Sequence, residues 1–280
     1  MDQVENPGAG ASNPWLMRLS QGQLNLLEAC PRRFQQVYLD QLASPSPPEQ
    51  QARMAWGSRF HLLMQQRELG LPIDRLLAED PPLQDCFTAL FKTAPDLLTS
   101  STDPQVFRQS EHPRTLEFQG YSLTAVYDLV MLGPEMGQIV DWKTYDRPPK
   151  QKWLARNWQT RLYLFLLTET TDYAPEQLSM TYWFVQTHDP QTGSIVPQSF
   201  TFAYTTALHQ QTQGDLSALL NQLTQWLDRY RQGEPFPQVL APSNLCATCS
   251  FVTRCEREQP SSASFAPMTF NLAEIEEVPL

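Results

Sequence analysis

From Leu116 to Thr144 apolar and polar residues alternate, and this period constrains the fold more than any other feature of the chain. "LEF", the turn pair Gln119-Gly120 and "YSLTAVYDLVML" read as a β-hairpin. "GPEMG" then turns into a third strand, "QIVDWKT". Strands need layers to pack against, and helices on either side of this region can supply them. Ser20 with Gln23 has the form of a capping box opening a helix to Cys30. Pro31 is placed to start a further helix through "RRFQQVYLDQL". Residues 43–51 read as a Pro/Ser loop, Ala52–Leu69 as a helix stopped by Gly70 and Pro72, and the stretch to Leu98 as loosely helical. After the third strand, Trp153–Leu167 is expected to be helical. "LSMTYWFVQTH" and "SIVPQSFTFAY" form a second hairpin through "DPQTG". Asp215 is expected to cap an amphipathic helix with Leu216, Leu219, Leu220, Leu223 and Trp226 on one stripe, closed by Gly233. The expected class is α/β, a mixed sheet with helical material before and after it, and no internal repeats.

Charged residues interrupt this apolar frame at particular places. Asp141 and Lys143 lie two apart on a strand and so share a face. An isolated Asp-x-Lys is ordinarily a surface ion pair. Asp128, however, ends the alternation of the preceding strand, where hairpin geometry can bring it beside Asp141. Adjacent carboxylates repel each other unless a cation lies between them, and hard oxygen ligands suit Mg²⁺ or Mn²⁺. Gly57 with His61, and Gln159 with Tyr163, are each spaced to share a helix face.

The net charge of −10 is unfavourable for phosphate contacts. Yet from Asp141 to Arg161 six basic residues, Lys143, Arg147, Lys150, Lys152, Arg156 and Arg161, stand against two acidic ones, interleaved with tryptophans and tyrosines. No apolar run is long enough to cross a bilayer and the first residues are polar, so a soluble, cytoplasmic protein is expected. Five cysteines suit metal ligation or free thiols better than a disulfide framework.

Taken in order, Gly57/His61, Asp128, Asp141/Lys143 and Gln159/Tyr163 resemble the PD-(D/E)xK nuclease superfamily, in the branch of RecB-type exonucleases. Glu111 stands where members often carry an acidic residue. Ala125-Val126-Tyr127-Asp128 departs from the usual G-x-x-D, with Ala in place of Gly. The resemblance implies a restriction-endonuclease-like core, a central mixed β-sheet flanked by helices, and metal-assisted hydrolysis of DNA phosphodiesters. It assigns His61, Asp128, Asp141 and the Trp142 carbonyl to Mg²⁺ or Mn²⁺. Lys143 would orient water or stabilise developing charge, and Gln159 and Tyr163 would position substrate or the lysine. Lys150, Lys152 and Arg156, with Arg32 and Arg33, would contact DNA. Lys143→Ala is expected to abolish cleavage and spare folding.

Members of one sub-branch, including the AddB subunit and CRISPR-associated adaptation nucleases, carry an iron–sulfur cluster held by one cysteine before the nuclease core and three after it. Cys30, followed by Pro31, and the C-x2-C-x5-C run of Cys246, Cys249 and Cys255 match that arrangement. A [4Fe-4S] cluster is the implied cofactor, with zinc as the alternative for four thiolates. Cys86 matches nothing and reads as a buried thiol. The domain expectation is a disordered start over 1–13, one nuclease domain over 14–258 and a disordered acidic tail over 259–280. The implied substrate is DNA, single-stranded or at ends, in repair, recombination or CRISPR adaptation. A helicase or a recombination or adaptation protein is the implied partner, since no G-x-x-x-x-G-K-[ST] loop is present. The competing readings are a non-catalytic DNA-binding module on the same scaffold and a zinc-stabilised protein-interaction subunit.

Overall fold

A computed structural model describes residues 16–42, 48–98, 105–146, 148–240 and 244–257; the expected disordered start and tail lie outside these residues. The chain divides into two compact units, Met1–Pro237 and Gln238–Leu280.

The larger unit opens with β1 (Arg18–Ser20), α1 (Gln21–Ala29), α2 (Pro31–Phe34) and a π-helical turn at Gln35–Leu39. Gln23 Oε1 accepts the Ser20 backbone N–H at 2.8 Å, as the capping pattern predicts. Then come α3 (Pro48–Glu68), α4 (Asp74–Glu79), α5 (Pro81–Thr93) and α6 (Pro95–Leu98). α3 thus starts four residues earlier than the sequence suggests, with Pro48 at a position where its missing N–H costs nothing. The sheet strands β2 (Phe107–Phe118), β3 (Tyr121–Leu132) and β4 (Gly137–Lys143) follow. Gln119 (φ 49°) and Gly120 (φ 78°) form the β2–β3 turn. Two successive positive φ values match the right-handed twist of a hairpin. β2 starts nine residues before the alternation becomes visible, because Pro113 and the polar "FRQSEH" disguise it. β2 pairs only with β3, and an edge strand tolerates proline.

The helix expected over Trp153–Leu167 is two helices, α7 (Gln151–Arg156) and α8 (Trp158–Glu169), broken at Asn157. β5 (Leu178–Phe184) and β6 (Gln198–Ala203) form the second hairpin, with a further bridge between His188 and Ile195. α9 (Thr206–Arg231) is capped by Thr205 rather than Asp215, whose carboxylate instead pairs with Arg161 at 2.5 Å.

The six strands form one mixed sheet in the order β1-β3-β4-β5-β6, with β2 on the other side of β3. β1 is parallel to β3 and β4 to β5; β2–β3, β3–β4 and β5–β6 are antiparallel. Two cores result, one on each face. The larger takes Leu24 and Leu27 of α1, the buried run Leu162–Leu167 of α8, and Leu216, Leu220 and Leu223 of α9. The smaller takes Phe60, Leu63 and Met64 of α3, Leu83, Phe87 and Leu90 of α5, and Val140 and Trp142 of β4. A central mixed sheet flanked by helices is therefore observed. No helix among the described residues is long and apolar enough to cross a membrane.

The smaller unit contains α10 (Asn244–Ala247) and a series of turns. Cys249 N–H donates to the Cys246 carbonyl at 3.2 Å, and Gln238 Nε2 donates to the Cys255 carbonyl at 3.2 Å.

Candidate active site

The site forms where β3 and β4 part. Their pairing runs from Leu132↔Gly137 to Leu129↔Val140 and stops one step before Asp128 would face Asp141. Asp128 Oδ2 occupies the gap and accepts the Trp142 backbone N–H at 2.7 Å. β2 is distorted at the same level. Its register with β3 passes from Ser110↔Leu129 to His112↔Tyr127, skipping Glu111 and Asp128. Glu111 takes φ 48°, a left-handed conformation that costs a residue with a Cβ on the order of 1–2 kcal/mol. The alternation of β3 changes phase here. Leu123, Ala125 and Tyr127 pack toward α8, Leu129 toward α3, and Val130 toward α8 again.

On the α8 face, Asp141 and Lys143 project from β4, since Val140 and Trp142 are committed to the α3 core. Asn157 caps α8, accepting the Gln159 N–H at 2.8 Å while receiving Asn25 Nδ2 at 3.0 Å. Gln159, in the first turn, then reaches both strand residues. Its Oε1 accepts from Lys143 Nζ at 2.9 Å and its Nε2 donates to Asp141 Oδ2 at 2.5 Å. Lys143 Nζ lies 2.5 Å from Asp141 Oδ1, closing a ring of three side chains. Burial drives the Asp141 carboxyl well above the ordinary carboxylate range, with Asp128 adding to it and Lys143 opposing. For Lys143, burial works against the proton, but Asp141, Tyr145 and Asp128 together outweigh it and the ammonium is held above its usual value. Tyr163, one helical turn beyond Gln159, is hydrogen-bonded by the Gln159 side chain and the Val126 backbone, and burial raises its hydroxyl.

On the α3 face, His61 Nδ1 lies 3.4 Å from Asp128 Oδ2 and 3.9 Å from Glu111 Oε1. One ligand atom from each of the three lies within 4.8 Å of the others. Burial opposes protonation of His61, but Asp128, Asp141 and Glu111 together lift the imidazole above its usual value. Burial, then Asp128, raises the Glu111 carboxyl.

Two features hold α3 close. A Cβ on Gly57 would meet Thr144 Oγ1 at 2.9 Å, so glycine lets the helix approach the end of β4 without displacing that side chain. Two turns beyond His61, Glu68 receives Arg108 Nε at 2.6 Å and Nη2 at 2.9 Å, tying α3 to β2 three residues before Glu111.

Among the described residues this is the one group of three or more histidine, cysteine, aspartate or glutamate side chains with ligand atoms so close, and no cysteine belongs to it. An imidazole nitrogen and two carboxylates, with the Asp141 carboxylate near enough to perturb His61, fit a hard divalent cation. Trp142, expected to offer its carbonyl, meets Asp128 through its N–H.

The basic residues are dispersed. Lys150, Lys152 and Arg156 are exposed around α7, beside Trp153, which is 57 % exposed. Arg147 lies outside the described residues. Arg161 stacks over Trp158 at 4.1 Å and pairs with Asp215, so its charge is used within the fold. Arg32 donates its backbone N–H to Pro237 O at 3.1 Å and its Nε to Phe236 O at 2.6 Å, and Arg33 is half-buried. Cys30 is half-buried between α1 and α2. Cys86 is 2 % exposed, its thiol pushed up to about 11 by burial, as expected of a core cysteine.

Sequence reasoning did not find the Glu68–Arg108 clamp or the Asn25–Asn157 cap, and it gave Glu111 little weight. Asn157 before "WQ" carried a usable signal, that of an N-cap. The clamp joins residues 40 apart and carried none.

The crystal structure of a "Putative exonuclease" from Eubacterium rectale is similar at 12 % identity and TM-score 0.47, covering 88 % of this chain and 93 % of that one. The crystal structure of SSO0001 is similar at 12 % identity and TM-score 0.38, covering 89 % and 88 %. No curated protein matches the sequence. The model of the PD-(D/E)XK nuclease superfamily matches residues 18–256, nearly the whole described chain, and the protein belongs to that superfamily.

Proposed function

We propose that the chain is a divalent-metal-dependent DNA nuclease, an exonuclease of the RecB-like branch acting on single strands or DNA ends. The observation that carries this is that His61, Glu111 and Asp128 bring one ligand atom each within 4.8 Å of one another at the β3–β4 gap, beside the Asp141–Lys143–Gln159 ring. His61, Glu111, Asp128 and Asp141 would hold Mg²⁺ or Mn²⁺, with the Trp142 carbonyl as a further oxygen. Such an ion, when bound, supplies charge neutralisation at the phosphate and eases formation of a water-derived nucleophile at neutral pH.

The chain's own residues do the rest. Lys143 stays charged beside a buried carboxylate and stabilises the phosphate oxygens as negative charge builds on them. Water oxygen bonds to phosphorus, the bond to the leaving nucleoside oxygen breaks, and that oxygen takes up a proton. Gln159 and Tyr163 are positioning residues, fixing the lysine and Asp141 relative to each other. Lys150, Lys152 and Arg156 offer phosphate contacts, and Trp153 a stacking surface.

Cys30, Cys246, Cys249 and Cys255 are read as ligands of a [4Fe-4S] cluster, making 14–258 one stapled nuclease domain. Support comes from the C-x2-C-x5-C spacing and from Cys30 placed before Pro31. Unwinding would come from a helicase or a recombination or adaptation partner.

The test is anaerobic protein with end-labelled single-stranded DNA in Mn²⁺, Mg²⁺ or EDTA, beside Asp128→Asn, which can still accept the Trp142 N–H. Cleavage that needs the cation and vanishes in the variant is expected. No cleavage by folded, cluster-loaded protein would overturn the nuclease reading in favour of a DNA-binding scaffold. Iron retained in either Cys30→Ser or Cys255→Ser would overturn the ligand set.

A further inference from the structure

The chemistry above leaves the cleft beside the site unused. It encloses about 1160 Å³ between α3 and the residues after β4, and His61, Glu111 and Thr144 line it. Its other walls set Trp56, Tyr145, Met54 and Leu62 among uncharged glutamines such as Gln50, Gln65 and Gln186. Met54 is 59 % exposed and Tyr145 44 % exposed, and Trp56 lies with them. Trp56 is a backed platform. It stacks on the fully buried Phe60 at 5.9 Å and 23°, and Phe60 meets the edge of Trp142, the neighbour of Asp141, at 6.5 Å. Tyr145, two residues after Lys143, rests against Phe184 at 5.8 Å. A base stacking here would meet rings already held in place, so little side-chain entropy is lost on binding.

The charge of the described lining residues does not suit a phosphate track. Arg53 is the sole lysine or arginine among the described lining residues, opposed by Glu111 and Asp146. A surface that is aromatic and poorly cationic, yet continuous with a site built for a phosphodiester, suits the bases of the strand and not its backbone. The volume exceeds the ~300–1,000 Å³ of pockets for single small ligands, leaving room for more than one nucleotide. Bases in a duplex keep their faces in the stack, whereas unpaired bases offer them to aromatic rings.

We infer that this cleft is a subsite for unpaired nucleobases of the DNA strand, with Trp56 and Tyr145 as its stacking platforms, and that it selects single-stranded over duplex DNA. The inference rests on the nuclease reading for its substrate, and its test does not depend on turnover. Fluorescence anisotropy in EDTA would compare a labelled oligothymidine strand, an abasic strand of the same length and a duplex. Wild-type protein should bind the base-bearing strand at least roughly 5- to 150-fold more tightly than the abasic one, the range that one stacked base supplies.

Trp56→Ala should erase most of that ratio while leaving abasic affinity unchanged. Trp56→Phe, which keeps the contact with Phe60, should fall between. Equal binding of base-bearing and abasic strands by wild type, an undiminished ratio in Trp56→Ala and Trp56→Phe, or preference for the duplex would overturn the subsite. Cleavage without discrimination would remove the subsite and leave the nuclease standing. Discrimination without cleavage would do the reverse.

Discussion

The two faces of the sheet treat their carboxylates differently. On the α8 face, Asp141 is 2 % exposed, and Lys143 and Gln159 bond both of its oxygens. On the α3 face, Asp128 and Glu111 share one histidine, whose Nδ1 stands 3.4 and 3.9 Å from them. The first arrangement is neutralised by the chain itself. The second carries more negative charge than its own cation offsets, and both strand distortions, at Glu111 and Asp128, aim oxygen atoms into it. On the α8 face the chain compensates its own carboxylate; on the α3 face His61, Glu111 and Asp128 leave uncompensated charge suited to a cation, to which Asp141 would add an oxygen in the proposed site.

Substitutions should therefore change stability with different sizes and signs on the two faces. The largest effect belongs to Lys143→Ala. Sequence reasoning alone expects it to spare folding, but the lysine is the partner of a buried carboxylate, and its loss should cost about 3–5 kcal/mol in urea denaturation of the metal-free protein, besides abolishing cleavage. Arg108→Met should come next. It leaves Glu68 with Arg67 alone and should cost about 2–3 kcal/mol. Because the pair ties α3 to β2, it should also weaken Mn²⁺ binding, a readout that a purely structural clip elsewhere would not move.

Gly57→Ala forces Thr144 aside and should cost about 1–3 kcal/mol by thermal or urea melts. Glu111→Gln is the smallest in stability and the most diagnostic. It removes one of the crowded charges, so metal-free stability should hold or rise, while Mn²⁺ affinity should fall at least ~10-fold by calorimetry. A loss of stability comparable to that of Lys143→Ala would erase the distinction between the faces.

Parts of this are readable from the chain and parts are not. The β2–β3 turn at Gln119-Gly120 and the pairing of Asp141 with Lys143 follow from local rules, alternation and turn chemistry. Asp128 beside Asp141 follows from the hairpin, but not the way they meet, because strand period predicts paired strands and the site depends on their separation. Glu111 is obscured for the same reason: a left-handed residue breaks the alternation that would reveal it. The break between α7 and α8 is masked by the apolar residues that continue on both sides of Asn157, and only Asn157 itself, as an N-cap type, marks it. The Asp215 cap failed because a local signal was outweighed by a distant partner, Arg161. The clamp of α3 to β2 is tertiary and leaves no sequence trace.

The central claim is that His61, Glu111, Asp128 and Asp141 form one cation site. Its most direct test is Mn²⁺ titration of metal-stripped protein, followed by calorimetry, for wild type, Asp128→Asn and Trp56→Ala. The account predicts saturable binding in wild type and in Trp56→Ala, and at least ~10-fold weaker binding in Asp128→Asn. Absent binding in folded wild-type protein, or equal affinity in Asp128→Asn, would contradict it.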